Sequence, residues 1–338
     1  MSSVVWNSRV VCGPAREIRA EIECIATRVC RALRAGVLAS VLLSSVGSAQ
    51  MLVDQGPPQH RIIHKNTFVL RYNPLGLIYD GRFVYRYRLY ESDSKVLRDN
   101  FLGLGLAPMV SPAWARIGPY LEVNPLTILT LSAMVHFVQY FGTSDLAQGF
   151  AGAQSDYSDN AIKANTSNPR ATNGYEVTLG TSLQAKVSAL VMRSQARMIY
   201  GSLELKPAER IYYDQTYDIG APNNGWTFTN DLDVLYQGLE NTLLAGARYT
   251  LTAPLYDPSK HFDPLDPERS ADNSIHRVGP FVAFTFKSED GAKLNTPTVF
   301  LLVQWYLKHR FRTGKDTSQA LPLLGVGFQM TGDFLPIE

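Results

Sequence analysis

Phe83-Val84-Tyr85-Arg86-Tyr87-Arg88-Leu89 is the stretch that decides the fold. Phe83, Tyr85, Tyr87 and Leu89 fall on one face, Arg86 and Arg88 on the other. That period of two belongs to a β-strand lying between two unlike environments. The alternation recurs from Phe68 to Phe334 in segments of about a dozen residues separated by turn residues. It predicts strands near 67–79, 82–91, 100–110, 114–123, 126–141 and 175–186, then near 189–203, 226–238, 242–255, 276–287, 298–311 and 323–334. Asp80-Gly81 reads as the two-residue turn of the first hairpin.

The connections carry a second rhythm. Asn124-Pro125, Val187-Ser188 and Leu239 to Asn241 are tight, and they alternate with long polar stretches at 142–174, 204–225 and 256–275. Short turns on one side and long loops on the other are the habit of a transmembrane barrel. If residues 67–110 hold three strands, the count is even and both ends lie on the short-turn side. The expected fold is therefore all-β: a single antiparallel transmembrane β-barrel of about twelve strands, within a range of ten to fourteen.

Composition agrees. The 338-residue chain is 45% hydrophobic and has no run of 18 apolar residues, which argues against a helical membrane protein but not against a barrel. Arg31 and Arg34, the apolar stretch Ala35 to Val46 and the small residues Gly47-Ser48-Ala49 read as an export signal cleaved before Gln50. The residues before Arg31 are long for such a signal, so either the true start lies downstream or the region has another role. The expected organisation is a signal over 1–49, a periplasmic tail with Pro57 and Pro58 over 50–65, and the barrel over 66–338. Cys12, Cys24 and Cys30 all precede the cleavage point, so the exported chain has no disulfide framework and no thiolate metal site. Removing the signal takes 6 of 32 Lys+Arg and 3 of 30 Asp+Glu, leaving 26 against 27, a balance of −1 that gives no reason to expect nucleic acid as a partner.

The strand faces sort the side chains. Leu129, Leu131, Ala133, Val135 and Phe137 share a face, as do Val299, Leu301, Val303, Trp305 and Leu307, and Leu324, Val326, Phe328 and Met330; these are expected to meet lipid. Tyr90, Trp114, Tyr140, Tyr175, Tyr200, Trp226 and Tyr236 lie towards strand ends and suit the membrane–water boundary. Arg86, Arg88, Arg116, Lys186, Arg193, Arg197, Arg248, Arg277, Lys287, Lys308 and Arg310 occupy the opposite face, with Glu122, Glu176, Asp231, Asp233 and Asp333 against them and His136 among them. An Arg or Lys facing lipid at mid-depth costs about 2–4 kcal/mol, so these residues are expected to line the lumen. A positive lumen favours anions; the same side chains can instead fill a narrow barrel as ladders of ion pairs. The sequence leaves both open.

On these features the chain resembles a Gram-negative outer-membrane β-barrel protein over about residues 67–334. Its final strand, Leu324-Gly325-Val326-Gly327-Phe328-Gln329-Met330-Thr331-Gly332-Asp333-Phe334, has the character of the C-terminal strand read by the outer-membrane assembly machinery, although Leu335-Pro336-Ile337-Glu338 follow it. The resemblance implies an outer-membrane location, with the lipid bilayer and that machinery as partners.

Chemistry is sparse. The sequence holds no H-E-x-x-H, no G-x-S-x-G, no P-loop and no complete G-x-G-x-x-G. Ser132 and His136 share the inner face four residues apart, a Cα separation of about 13 Å on a strand, too far for a nucleophile and its base. His309 falls on the face opposite Lys308 and Arg310. The pair His60 and His64 suits a metal on a helix, which Pro57 and Pro58 oppose. Asp156, Asp159, Asp257, Asp263, Asp266 and Asp272 enrich the long loops without EF-hand spacing. No catalytic residue, cofactor or metal is expected. The expected role is a passive, porin-like channel for small solutes with weak anion preference. The alternatives are a loop-presenting barrel for adhesion or partner binding and, less favoured, a lipid-modifying outer-membrane enzyme.

Overall fold

The computed structural model describes residues 58–143, 148–165, 171–265, 267–286, 296–315 and 320–334. The signal, the three cysteines, Lys287 and Leu335–Glu338 lie outside the described residues.

Twelve antiparallel staves close into a barrel. In chain order they are β1 (His60–Tyr72), β2 (Gly76–Tyr87), β3 with β4 (Phe101–Leu106, Met109–Val110), β5 with β6 (Trp114–Ile117, Pro119–Leu126) and β7 (Leu129–Phe141). The chain then inserts β8 (Gly149–Phe150) and helix α1 (Asp159–Ala164) before β9 (Ala171–Val187) and β10 (Leu190–Leu203). A second insertion, β11 (Ile211–Asp214) and β12 (Ile219–Pro222), precedes β13 (Gly225–Gly238), β14 (Leu243–Leu255), β15 (Ile275–Thr285), β16 (Thr296–Lys308) and β17 (Leu323–Asp333). β1 pairs with β2 at Lys65↔Arg82 and with β17 at Lys65↔Thr331, so the sheet has no free edge. Only such closure satisfies every strand in lipid.

Two staves break where the sequence forces them to. Pro108 and Pro119 cannot donate to a ladder. Pro108 still accepts from Gly81 N at 2.8 Å, and Ala107 N bonds Gly118 O at 3.0 Å, which stitches the breaks together. Gly118 is required there, because a Cβ would lie 1.7 Å from Val135 O.

The period-two faces are as the sequence predicts. Phe68, Leu70, Leu104, Phe137, Trp305 and Val326 are exposed on the outer surface. Tyr175, Tyr200 and Trp226 form one run of outward rings, with centroids 6.1 and 5.3 Å apart. Trp114 and Tyr140 depart from the expected girdle: both point inward and are buried.

The first hairpin corrects the sequence reading. Its turn is Asn73-Pro74-Leu75, and Asp80 and Gly81 sit in the middle of β2. Residues 60–65 form the start of β1 rather than a tail. Outward His60, His64 and Asn66 interrupt the apolar pattern and hide that start; His60 is spoken for by Tyr85 OH at 2.6 Å, and Asn66 accepts from Tyr79 OH at 2.8 Å. Asn124 and Pro125 lie inside β6, which moves that turn to Thr127–Ile128. The tight turns at Ser188 and at Leu239 to Asn241 hold left-handed φ values of 55°, 47°, 53° and 71°.

Candidate functional site: a plugged external half and a charged cup

The long loops do more than cover the barrel. β8, β11 and β12 form their own three-stranded sheet, and the β11–β12 hairpin descends into the lumen. Every residue of both hairpin strands is buried. Ile211, Tyr212, Tyr213, Ile219 and Ala221 pack against inward side chains from several staves, among them Trp114, Val138, Tyr140, Leu203 and Ile275, and against Tyr157, Ile162 and Phe311 from the loops. Gly201 makes room on β10: a Cβ there would lie 2.1 Å from Tyr212 Oη. Fully burying one such large side chain is worth about 1.5–3 kcal/mol, so this cluster alone holds the hairpin firmly.

Polar clamps set its depth. Arg71 of β1 donates Nη1 to Thr216 O at 2.7 Å and Nη2 to Gln215 O. Arg116 of β5 joins Glu176 of β9 at 2.8 Å and Asp214 of the hairpin at 3.5 Å, with its guanidinium 4.3 Å from the Trp114 ring. Asp214 also accepts from Thr216 N at 2.7 Å, which shapes the turn. Asp218, with φ 61°, receives Arg312 Nε at 2.9 Å, Arg312 Nη2 at 3.2 Å and Tyr213 OH at 2.8 Å, and lies 3.1 Å from His309 Nε2. Arg312 is only 2% exposed. His309 therefore serves this latch beyond the end of β16.

Above the hairpin the loops lock together. Arg310 donates to Ala153 O at 2.9 Å and Gln154 O at 2.5 Å, Asn273 Nδ2 donates to Ala153 O at 2.8 Å, and Lys308 pairs with Asp272. Lys308 and Arg310 thus belong to the external rim, correcting their expected place in the lumen. Lys186 sits at the opposite rim, 3.2 Å from Asn241 Oδ1, and Arg88 follows β2 at the periplasmic mouth beside Glu91. These four lie at or past stave ends, where alternation no longer reports which way a side chain points.

The latch has a defined pH response. Burial pushes the Asp218 carboxyl up, but the His309 ring and the Arg312 guanidinium beside it outweigh that and hold the group well below the usual carboxylate range. In the cap, hydrogen bonds from Lys308 and then Ser274 hold Asp272 at about 2. A depressed carboxyl contributes its full stabilisation above its ordinary value of about 4 and loses it only as pH falls through the folded value. The hairpin is therefore expected to stay seated from about pH 7 to about pH 4. The check is the protease resistance of the hairpin in detergent, and a marked loss of it across that window would contradict the assignment of the latch to Asp218.

Below the hairpin tip the lumen is lined by charge and reached by water. Arg86 Nε donates to Glu122 Oε1 at 2.6 Å, and the Arg86 guanidinium lies 4.1 Å from the Phe101 ring. Arg193 and Arg248 both clasp Asp233, at 2.6 and 2.7 Å, and Asp233 is 0% exposed. Arg197 meets Asp231 at 3.0 Å, and Asp231 also accepts from Thr250 Oγ1 at 2.7 Å. Asp333 takes Arg61 Nε at 2.7 Å. The structure thus brings together Arg86, Glu122, Arg193, Arg197, Asp231, Asp233 and Arg248 on one inner surface, with Asp333 joined through Arg61. Arg116 and Arg277 also face inward; Arg277 lies 5.8 Å from the Tyr306 ring. His136 is fully buried on the inner face, its Nε2 2.7 Å from Ala107 O, and no hydrogen bond joins it to Ser132 among the described residues.

Sequence reasoning missed Arg61, Lys65, Asp80 and Arg82, because it left the start of β1 in the tail and put Asp80 in a turn with Arg82 at a strand end. It also missed Arg71 and the whole hairpin. The only signal for the latter was Ile211-Tyr212-Tyr213 and Ile219 in a loop otherwise expected to be polar.

No protein-family model and no curated protein matches the chain. Several solved structures align with the chain at low similarity. OccAB1 of Acinetobacter baumannii aligns at 7% identity over 85% of this chain and 100% of its own, with a TM-score of 0.36. OprD of Pseudomonas aeruginosa aligns at 7% over 81% and 92%, with 0.28. CymD, a monoaromatic hydrocarbon channel, aligns at 8% over 83% and 90%, with 0.37.

Proposed function

We propose that this barrel is an outer-membrane channel for passive movement of small solutes, weakly preferring anions, with the β11–β12 hairpin as its closed gate. The observation that carries this reading is the contrast between the two halves of the lumen. The external half is packed like a protein core, whereas the periplasmic half is a polar cup where Arg86, Arg193 and Arg197 remain partly accessible. Charges on the inner face of a water-filled lumen select solutes by sign and size. The largely apolar outer surface and the closed sheet suit an outer membrane.

A second reading, a permanently plugged barrel that presents its loops to a partner, is favoured by the cap that Arg310, Asn273 and Gln154 hold together. The two separate in planar bilayers. A gated channel gives discrete openings from the unmodified protein; a silent protein, whatever the voltage, contradicts the channel and supports the plugged barrel.

A further inference from the structure

We infer that Lys65, with Arg82 beside it and Arg193 facing it, forms a binding site for a small oxyanion, a carboxylate or phosphate, and that Lys65 sets the charge preference of the lumen. The inference deepens the channel reading and rests on it.

Charge pairing singles out Lys65. Arg61, Arg82, Arg86 and Arg197 each hold a carboxylate of their own: Asp333, Asp80, Glu122 and Asp231. Arg193 and Arg248 share Asp233. Among the described residues the Lys65 ammonium has no carboxylate and no hydrogen-bond acceptor. Leaving aside Arg277, which is buried beside Tyr306, seven cations face five carboxylates, and the excess has two addresses, Lys65 and the shared Asp233. Arg193 stands across the lumen from Lys65, because β10 and β1 are six staves apart either way round the barrel.

Lys65 is also placed to be used. It shares the inner face of β1 with Ile63 and Arg71, opposite the lipid-facing Phe68, Leu70 and Tyr72, and it is exposed to water. Its neighbours have donors to spare. Arg193 spends Nε and Nη2 on Asp233, leaving Nη1. Arg82 spends Nη1 on Asp80 and Gly81 O, leaving Nε and Nη2. An ammonium with three donors beside unspent guanidinium N–H groups matches an anion with several oxygen acceptors. The paired arginines shape the cup, and their carboxylates cancel most of their field.

The test uses the protein purified in detergent and placed in planar bilayers. In a tenfold KCl gradient, Lys65→Met is expected to lower the chloride-over-potassium permeability ratio by about fivefold, the scale of one unscreened charge a few ångströms from the path. Lys65→Arg should keep the original ratio, and so should Lys186→Met, which removes a charge at the rim. Inorganic phosphate at constant ionic strength should reduce the chloride current of the unmodified protein and leave that of Lys65→Met unaffected. An unchanged ratio together with unchanged phosphate block in Lys65→Met would overturn the site.

A second readout needs no current. In detergent micelles, a small water-soluble acylating reagent should label Lys65, and phosphate should protect Lys65 but not Lys186, as read by peptide mass mapping. Protection in a protein that carries no current would sink the channel reading and leave the site standing. Current without protection, and without an effect of Lys65→Met, would sink the site and leave the channel.

Discussion

Asp218→Asn is expected to convert the closed barrel into one that opens frequently. Asp218 is the hub of the latch: it receives two guanidinium donors of Arg312 and the hydroxyl of Tyr213, with His309 alongside. All of this is buried, so solvent does not screen it. Removing one partner of a buried ion pair costs about 3–5 kcal/mol, much of it from the charge left behind. If about 3 kcal/mol of that falls on the seated hairpin alone, the closed–open ratio drops by roughly a hundredfold. Single-channel recordings should show a large rise in open probability with little change in unit conductance, because the cup below is untouched. Replacing residues 211–222 with a short Gly-Ser linker should go further and raise unit conductance as well. If neither variant alters open probability or conductance, the hairpin is not the gate. The apolar anchors Ile211 and Ile219 oppose release, so Asp218→Asn alone should give flickering rather than permanent opening.

The second large effect concerns stability. Asp233 is fully buried and takes Arg193 through Nε and Nη2 at 2.9 and 2.6 Å and Arg248 through Nε and Nη2 at 2.7 and 3.0 Å. β13 is thereby tied to both flanking staves, since Asp233 stands opposite Arg193 on β10 and Arg248 on β14. Asp233→Ala leaves two adjacent guanidiniums without a counter-charge, and the expected loss is about 3–5 kcal/mol. Urea unfolding followed by tryptophan fluorescence should show a much lower midpoint. Arg197→Met, at a more exposed pair, should cost about 1 kcal/mol or less. Equal midpoints for the two variants would mean that the double clasp adds no stability beyond an ordinary surface pair.

The parts of the barrel that were legible in the sequence share a cause. A stave between lipid and lumen imposes its environment on every second residue, so Arg86, Glu122, Arg193 and Asp231 declare their side by position alone. Connection lengths add the direction of travel. Legibility fails where that constraint lapses. At stave ends Arg88, Lys186, Lys308 and Arg310 keep the alternation but reach rims and loops. In β1 the outward His64 and Asn66 satisfy one another at 3.0 Å, so a polar pair sits where the pattern requires apolar residues. Lys65, the centre of the proposed site, was lost with the start of that strand.

Closure, the number of staves within a narrow range and the sorting of charge to the inside were all determined by the sequence alone, because they follow from local periodicity and connection lengths. The tertiary structure alone decided what fills the barrel and which charges cancel. Arg71 grips carbonyls 144 and 145 residues away, and Arg312 reaches Asp218 across 94. No local pattern encodes such contacts: which inward side chains meet across the lumen depends on the tilt and register of all twelve staves at once. Once that register is set, it gives each arginine of the cup a carboxylate, two of them sharing one, and leaves Lys65 without any.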